Sequence, residues 1–150
     1  MLNFLFLVCS CTIGRPLWSL GHSSNQNFKD LEDDEIVHVG MTHAYLNGGA
    51  SEFLLDTFKV YDELEGFEGY LGGSVRKEIW GDQVWTLSVW RTESDLKSFS
   101  SSDLHRNAIK SSGRYISKIR STTLRMKRKD VPKTWHEARS HLEQLSFKQY

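Results

Sequence analysis

The sequence predicts an α+β fold in which four strands and two helices follow the order β-α-β-β-α-β, with an extra helix at the C-terminal end. Three observations lead there. Residues 36–46 alternate as a strand does, residues 51–64 carry one apolar stripe between glycine-marked breaks, and residues 83–109 pass from a Trp-rich strand straight into helical sequence.

In residues 36–46, Val37, Val39, Met41, His43 and Tyr45 alternate with Ile36, His38, Gly40, Thr42 and Ala44. Alternation sends the two sets to opposite faces, so His38 and His43 cannot share a metal. The first set is the more apolar and is expected to pack under helices, leaving the smaller, more polar set to face a cavity or a partner. Asn47-Gly48-Gly49 breaks the strand, and Ser51 is the expected cap of a helix reaching about Leu64. Its stripe is Phe53, Leu54, Thr57, Phe58, Tyr61 and Leu64. Gly66 ends it. Residues 67–79 have strand character, but Gly69, Gly72 and Gly73 would weaken a plain strand. They mark a bulge, or backbone kept bare for a close approach.

Trp80-Gly81-Asp82-Gln83 turns the chain into the central strand. There Val84, Thr86, Ser88 and Trp90 alternate with Trp85, Leu87 and Val89, and apolar residues of both parities describe a strand covered on both faces. Trp85 and Trp90 face opposite sides, so one pocket can hold only one of them. Thr92 is a side-chain cap, with Glu93 and Asp95 in the first turn where the helix dipole favours carboxylates. The helix runs through Leu96 and Phe99, breaks at Ser102 or Asp103, and restarts with His105 in its first turn. Tyr115, Ile116 and Ile119 lead to a last strand near residues 120–127. Pro132 and the capping box Thr134-Trp135-His136-Glu137 open the final helix, whose apolar side is Trp135, Ala138, Leu142 and Leu145. The order is that of the ferredoxin-like fold, with an antiparallel four-stranded sheet.

The 150 residues suffice for one domain with a real core, and 39% apolar with 25% charged residues is an ordinary globular composition. The expected organisation is a hydrophobic N-terminal segment and polar linker over 1–34, the ferredoxin-like domain over 35–130, and the C-terminal helix over 131–150 packed on it. Basic and acidic residues number 19 each, but they are segregated. Between residues 30 and 69 Lys59 is the one base among acids, and between 106 and 133 Asp130 is the one acid among bases. Such halves are expected to form complementary solvated faces that help elements or subunits dock. No nucleic-acid-binding motif appears, and Tyr115 is the one aromatic interleaved with the bases, so nucleic acid is not an expected partner.

The apolar run from Leu2 to Ile13 is too short for a clear transmembrane helix, and its first basic residue, Arg15, follows it instead of preceding it. Export or membrane anchoring is favoured over a cytoplasmic location. Val8-Cys9-Ser10-Cys11 loosely resembles a lipoprotein processing site, and the two cysteines are too close in sequence for an ordinary disulfide. No Walker loop, dinucleotide fingerprint, paired carboxylates, Ser-His-Asp set or metal-spaced cluster is present.

The hairpin Gly81-Asp82-Gln83-Val84-Trp85-Thr86-Leu87-Ser88-Val89-Trp90, continuing to Phe99 and His105-Arg106-Asn107-Ala108, resembles the antibiotic biosynthesis monooxygenase (ABM) domain. The likeness covers about residues 35–129. It implies a dimeric α+β barrel, in which two four-stranded sheets pair face to face, and hence a homodimer. It implies a monooxygenase acting on a hydrophobic aromatic or polyene small molecule without a cofactor. The alternative is a non-catalytic ligand-binding or stress-associated dimer using the same cavity. Haem-degrading relatives carry a Trp and a His ligand on the second helix, at positions that fall here on Phe99 and Ile109; the chain departs from that pattern at both. His105 lies one turn earlier and is not carried over as that ligand. Carotenoid-oxidising relatives with a similar Trp…Phe…His segment are haem-linked, which leaves haem open.

The expected catalytic residues are His105, Trp90 and Arg76, with Trp85, Tyr70, His43 and Phe99 binding substrate and no metal site. His105 can take or give a proton near neutral pH. It can equally be a helix-start histidine bonded to a backbone carbonyl or to Asp103. The tryptophans can stack on a flat substrate or serve packing.

Overall fold

Residues 12–14 and 28–149 are described by a computed structural model of the chain. Cys9, Cys11, nearly all of the N-terminal apolar run and most of the linker lie outside the described residues.

The alternating segment forms β2 (Ile36–Leu46), at the centre of an antiparallel sheet. β4 (Gln83–Trp90) and β5 (Ile116–Lys127) flank it, and β3 (Tyr70–Glu78) pairs with β4. The order β3-β4-β2-β5 is the ferredoxin-like one. Two short strands extend it beyond the expected four: β1 (Thr12–Gly14) beside β3, and β6 (Lys148–Gln149) beside β5. Between the strands lie α1 (Ala50–Glu63), α2 (Glu93–Ser100) and α3 (Asp103–Ser112), followed by α4 (Trp135–Glu143) after the sheet. No helix of the described residues is long and apolar enough to cross a membrane.

Thr92 caps α2 as expected. Its Oγ1 accepts from the Asp95 amide at 3.1 Å, and the Asp95 carboxylate accepts from the Thr92 amide at 3.0 Å. Ser102 restarts the helix by accepting from the His105 amide. The start of α1 differs: Gly49, not Ser51, is the cap, with φ 56° and no side-chain bond. A Cβ at Gly49 would meet the Tyr115 ring at 2.2 Å, so the left-handed φ and the close passage of that ring both favour glycine there. The glycines of β3 serve both expected purposes. The register with β4 shifts between Tyr70 and Gly72, a bulge, while a Cβ on Gly73 would lie 2.6 Å from the Leu87 carbonyl oxygen.

Two apolar layers sandwich the sheet. On one side α1, α2 and α3 bring Phe53, Tyr61, Leu96 and Phe99 onto Ala44, Val75, Val84 and Trp90. On the other, α4 and the segment before β2 bring Ala138, Leu142 and Leu31 onto Val37, Val39, Met41, Trp85, Leu87 and Val89. Val37, Val39 and Val89 are 0% exposed, and each such side chain contributes about 1.5–3 kcal/mol on burial. The apolar parity of β2 thus packs under α4, and the smaller parity faces α1–α3. Burial of both sheet faces, which the resemblance attributes to a partner sheet, is reached within one chain. Packing begins before Glu35, at Phe28 and Leu31. The acidic stretch docks there on the basic one, through Asp34 with Lys127 and Lys129 and Asp33 with Arg128.

Candidate functional site

Small side chains on three adjacent strands leave space beneath the helices. The register sets Gly40 opposite Ser88 and Thr123, and Thr42 opposite Thr86 and Ser121, all on the face toward α1–α3. A cavity of about 420 Å³ opens above this floor, walled by Phe53, Val60, Tyr61, Phe99, Ile109 and Ile116. A second cavity of about 350 Å³ reaches toward Leu96, Ser100 and Thr123. The two cavities adjoin, sharing Thr42, Thr86, Ser88, Phe99, His105 and Ser121 in their linings. Apolar walls with a few hydroxyls suit a largely hydrophobic ligand carrying a few oxygens.

His105 reaches both cavities because α3 restarts at Ser102. Its Nδ1 lies 2.9 Å from the Ser100 carbonyl oxygen. A carbonyl can only accept, so Nδ1 carries the hydrogen, and in the neutral imidazole Nε2 is the nitrogen with the lone pair. One ring nitrogen is thereby structural and the other is free to act as a base. Asp103 does not take part, being paired with Arg106 at 2.6 Å.

Phe99 lines both cavities and lies 4.8 Å from the His105 ring, centroid to centroid. Trp90 is fully buried behind it, stacked at 5.1 Å, and its indole N–H donates to Ser88 Oγ at 2.9 Å. That bond occupies an acceptor site of Ser88 and leaves its hydroxyl with a donor to offer. Tyr70 packs edge-on against Trp90 at 5.2 Å. Trp90 and Tyr70 therefore support the cavity without lining it.

The other three expected residues lie elsewhere. His43, Trp85 and Arg76 sit side by side on the opposite face of the sheet, under α4, because they share the other strand parity. The expected constellation of seven is divided by the sheet, and these three cannot touch a molecule in the cavity. His43 stacks on Trp85 at 4.8 Å, its Nε2 lies 2.9 Å from Gln83 Oε1, and its Nδ1 accepts from Arg120 Nε at 3.2 Å. Burial first, and then the Arg120 charge, push its pKa down to about 4. It is neutral near pH 7.

The hydroxyl floor of Thr42, Thr86, Ser88 and Ser121 is not among the expected site residues. Its signal is hydroxyl residues of one parity on β2, β4 and β5, which only the strand register brings together. Among the described residues no three His, Cys, Asp or Glu side chains gather as a metal site.

No family model and no curated protein matches the sequence. Solved structures match the fold. Rv0793 from Mycobacterium tuberculosis superposes with a TM-score of 0.53 at 13% identity, covering 59% of this chain and 92% of that one. A variant of SnoaB, described as a cofactor-independent oxygenase from Streptomyces nogalater, gives 0.51 at 11% identity over 61% and 91%. A protein from Nitrosomonas europaea named as a candidate antibiotic biosynthesis monooxygenase gives 0.54 at 8% identity over 65% and 92%. The chain shares the fold of these proteins. Identities this low speak to fold and not to chemistry.

Proposed function

We propose that the protein is a monooxygenase of the ABM type, taking a hydrophobic aromatic or polyene molecule into the cavity between helices and sheet and oxidising it without a cofactor. The observation that carries this reading is His105, which lines both hydroxyl-floored apolar cavities with its Nδ1 tied to the Ser100 carbonyl, leaving Nε2 as the ring nitrogen for proton transfer. The fold likeness to a protein described as a cofactor-independent oxygenase supports it.

In this reading His105 removes a proton from an activated CH₂ group flanked by aromatic or carbonyl carbons. The resulting carbanion gives electrons to O₂, a C–O bond forms, and the peroxide is protonated by the imidazolium. Loss of water leaves a carbonyl, so R₂CH₂ and O₂ become R₂C=O and H₂O. The hydroxyls of Ser88, Thr86 and Thr42 hydrogen-bond the substrate oxygen on which negative charge gathers, and the apolar walls keep bulk water from the carbanion.

Oxygen uptake by the full chain with polycyclic phenols tests it. One O₂ consumed per carbonyl formed, with kcat lower by about 10²–10⁴ in His105→Ala, is expected. Saturable binding with no oxygen uptake would leave the non-catalytic ligand-binding reading, which the scarcity of titratable groups along the cavity favours. A haem titration of the same two proteins adds a separate arm. A Soret band present in the wild type and lost in His105→Ala would replace cofactor-free chemistry by haem chemistry.

A further inference from the structure

The sheet face under α4 carries a cationic cluster that the cavity does not use. Adjacent strands set Arg76, Trp85, His43 and Arg120 in one row across the sheet. From above, α4 lowers Arg139 onto the same indole, its guanidinium carbon 4.9 Å from the Trp85 ring centroid, while that of Arg76 lies at 5.9 Å. Two like charges converge on one buried ring.

Such a pair normally brings a carboxylate between its members, yet among the described residues neither arginine makes an ion pair. The acid that faces them is Glu78, whose oxygens lie 3.3 and 3.5 Å from the Gln83 amide nitrogen. Arg120 is already committed to His43 Nδ1 and the Leu145 carbonyl, and Lys118 lies over the Tyr45 ring at 3.9 Å. Arg76 Nε is buried and, among the described residues, has no hydrogen-bond acceptor. A guanidinium N–H removed from water and left unpaired is unfavourable, and an anion beside it would restore the missing acceptor. Arg76 is accordingly held below the ordinary arginine range, by burial first and by Arg139 next, with Glu78 opposing only in part.

We propose that Arg76 and Arg139 form an anion-binding site on the sheet face opposite the cavity, taking the phosphate or carboxylate group of a small molecule between their guanidinium groups. The planar fork of each arginine matches both oxyanions, and contact of both guanidinium groups with the Trp85 ring keeps them near one another before an anion arrives. This site stands apart from the monooxygenase reading, since it shares no residue with the cavity.

The test is a titration of the full chain with inorganic phosphate and, in a second arm, succinate, at matched ionic strength. Thermal midpoint and the His43 imidazole resonances are both read. At least one anion is expected to raise the midpoint saturably and to move the His43 pKa upward from about 4, because the added negative charge offsets Arg139 and its neighbours. The arm that responds identifies the headgroup. Arg139→Gln, on a helix anchored by Ala138 and Leu142, should weaken the apparent affinity at least tenfold while its unliganded midpoint stays at or above that of the wild type. Arg76→Gln should weaken binding likewise. No saturable response to either anion, or an equal response in Arg139→Gln, would overturn the proposal.

Discussion

Phe99 stacks on Trp90 with ring centroids 5.1 Å apart and planes inclined by 20°. The pair ties the cavity wall on α2 to the last residue of β4, and His105 leans on Phe99 at 4.8 Å. Phe99→Ala should cost about 3–5 kcal/mol, the loss for deleting a buried ring that its neighbours cannot replace. Urea unfolding measures this. In Trp90→Phe the ring packing is largely kept, so a smaller cost of about 1 kcal/mol is expected from the lost indole bond to Ser88.

His43 makes stability depend on pH. Its folded pKa, about 4, lies below the ordinary 6.5, so between these values the unfolded chain binds the proton more readily. The contribution is therefore complete above about pH 6.5 and is lost as pH falls toward 4. With solvent screening of the neighbouring cations allowed for, it amounts to about 2 kcal/mol. The drop in unfolding free energy between pH 7 and pH 4 should be smaller by that amount in His43→Leu. An unchanged drop would show that His43 titrates normally.

Gly73 is bare because β4 runs close beside it. A Cβ there would lie 2.6 Å from the Leu87 carbonyl oxygen and 2.9 Å from the Tyr70 hydroxyl. Gly73→Ala should destabilise by about 1–3 kcal/mol as the strands are pushed apart. Gly66, whose Cβ would meet nothing within 4 Å, is the control. A thermal midpoint for Gly73→Ala as high as for Gly66→Ala would contradict the close approach.

Leu142 anchors α4 to the sheet and is 1% exposed. Leu142→Asp buries an unpaired carboxylate or undocks the helix, and should cost about 3 kcal/mol or more. Undocking uncovers Val37, Val39, Met41 and Leu87, an apolar sheet face suited to a second copy. Light scattering behind size exclusion should then show association above that of the wild type. An unchanged mass together with full stability would mean that α4 does not cover that face.

Element order is legible because its signals are local. Thr92 with Asp95 marks a helix start within four residues, the alternation in residues 36–46 marks a strand, and the restart at Ser102 or Asp103 is read from side chains that cap. The start of α1 escapes such signals: Ser51 is a good cap by chemistry, but the helix starts from Gly49, whose left-handed φ and close approach to Tyr115, far along the chain, both call for glycine. Strand parity alone also separates Trp85 from Trp90.

The sequence by itself determined which side chains share a strand face, since a period of two needs no partner. Tertiary structure decided which face meets which layer. Neither the docking of α4 against Val37 and Val39, nor the cavity between Thr42 and His105, can be read from spacing, because each depends on register between strands and helices distant in the chain. For that reason His105 and Phe99 meet the hydroxyls of Thr86 and Ser88, while His43, Trp85 and Arg76, equally plausible as residue types, gather on the far side of the sheet.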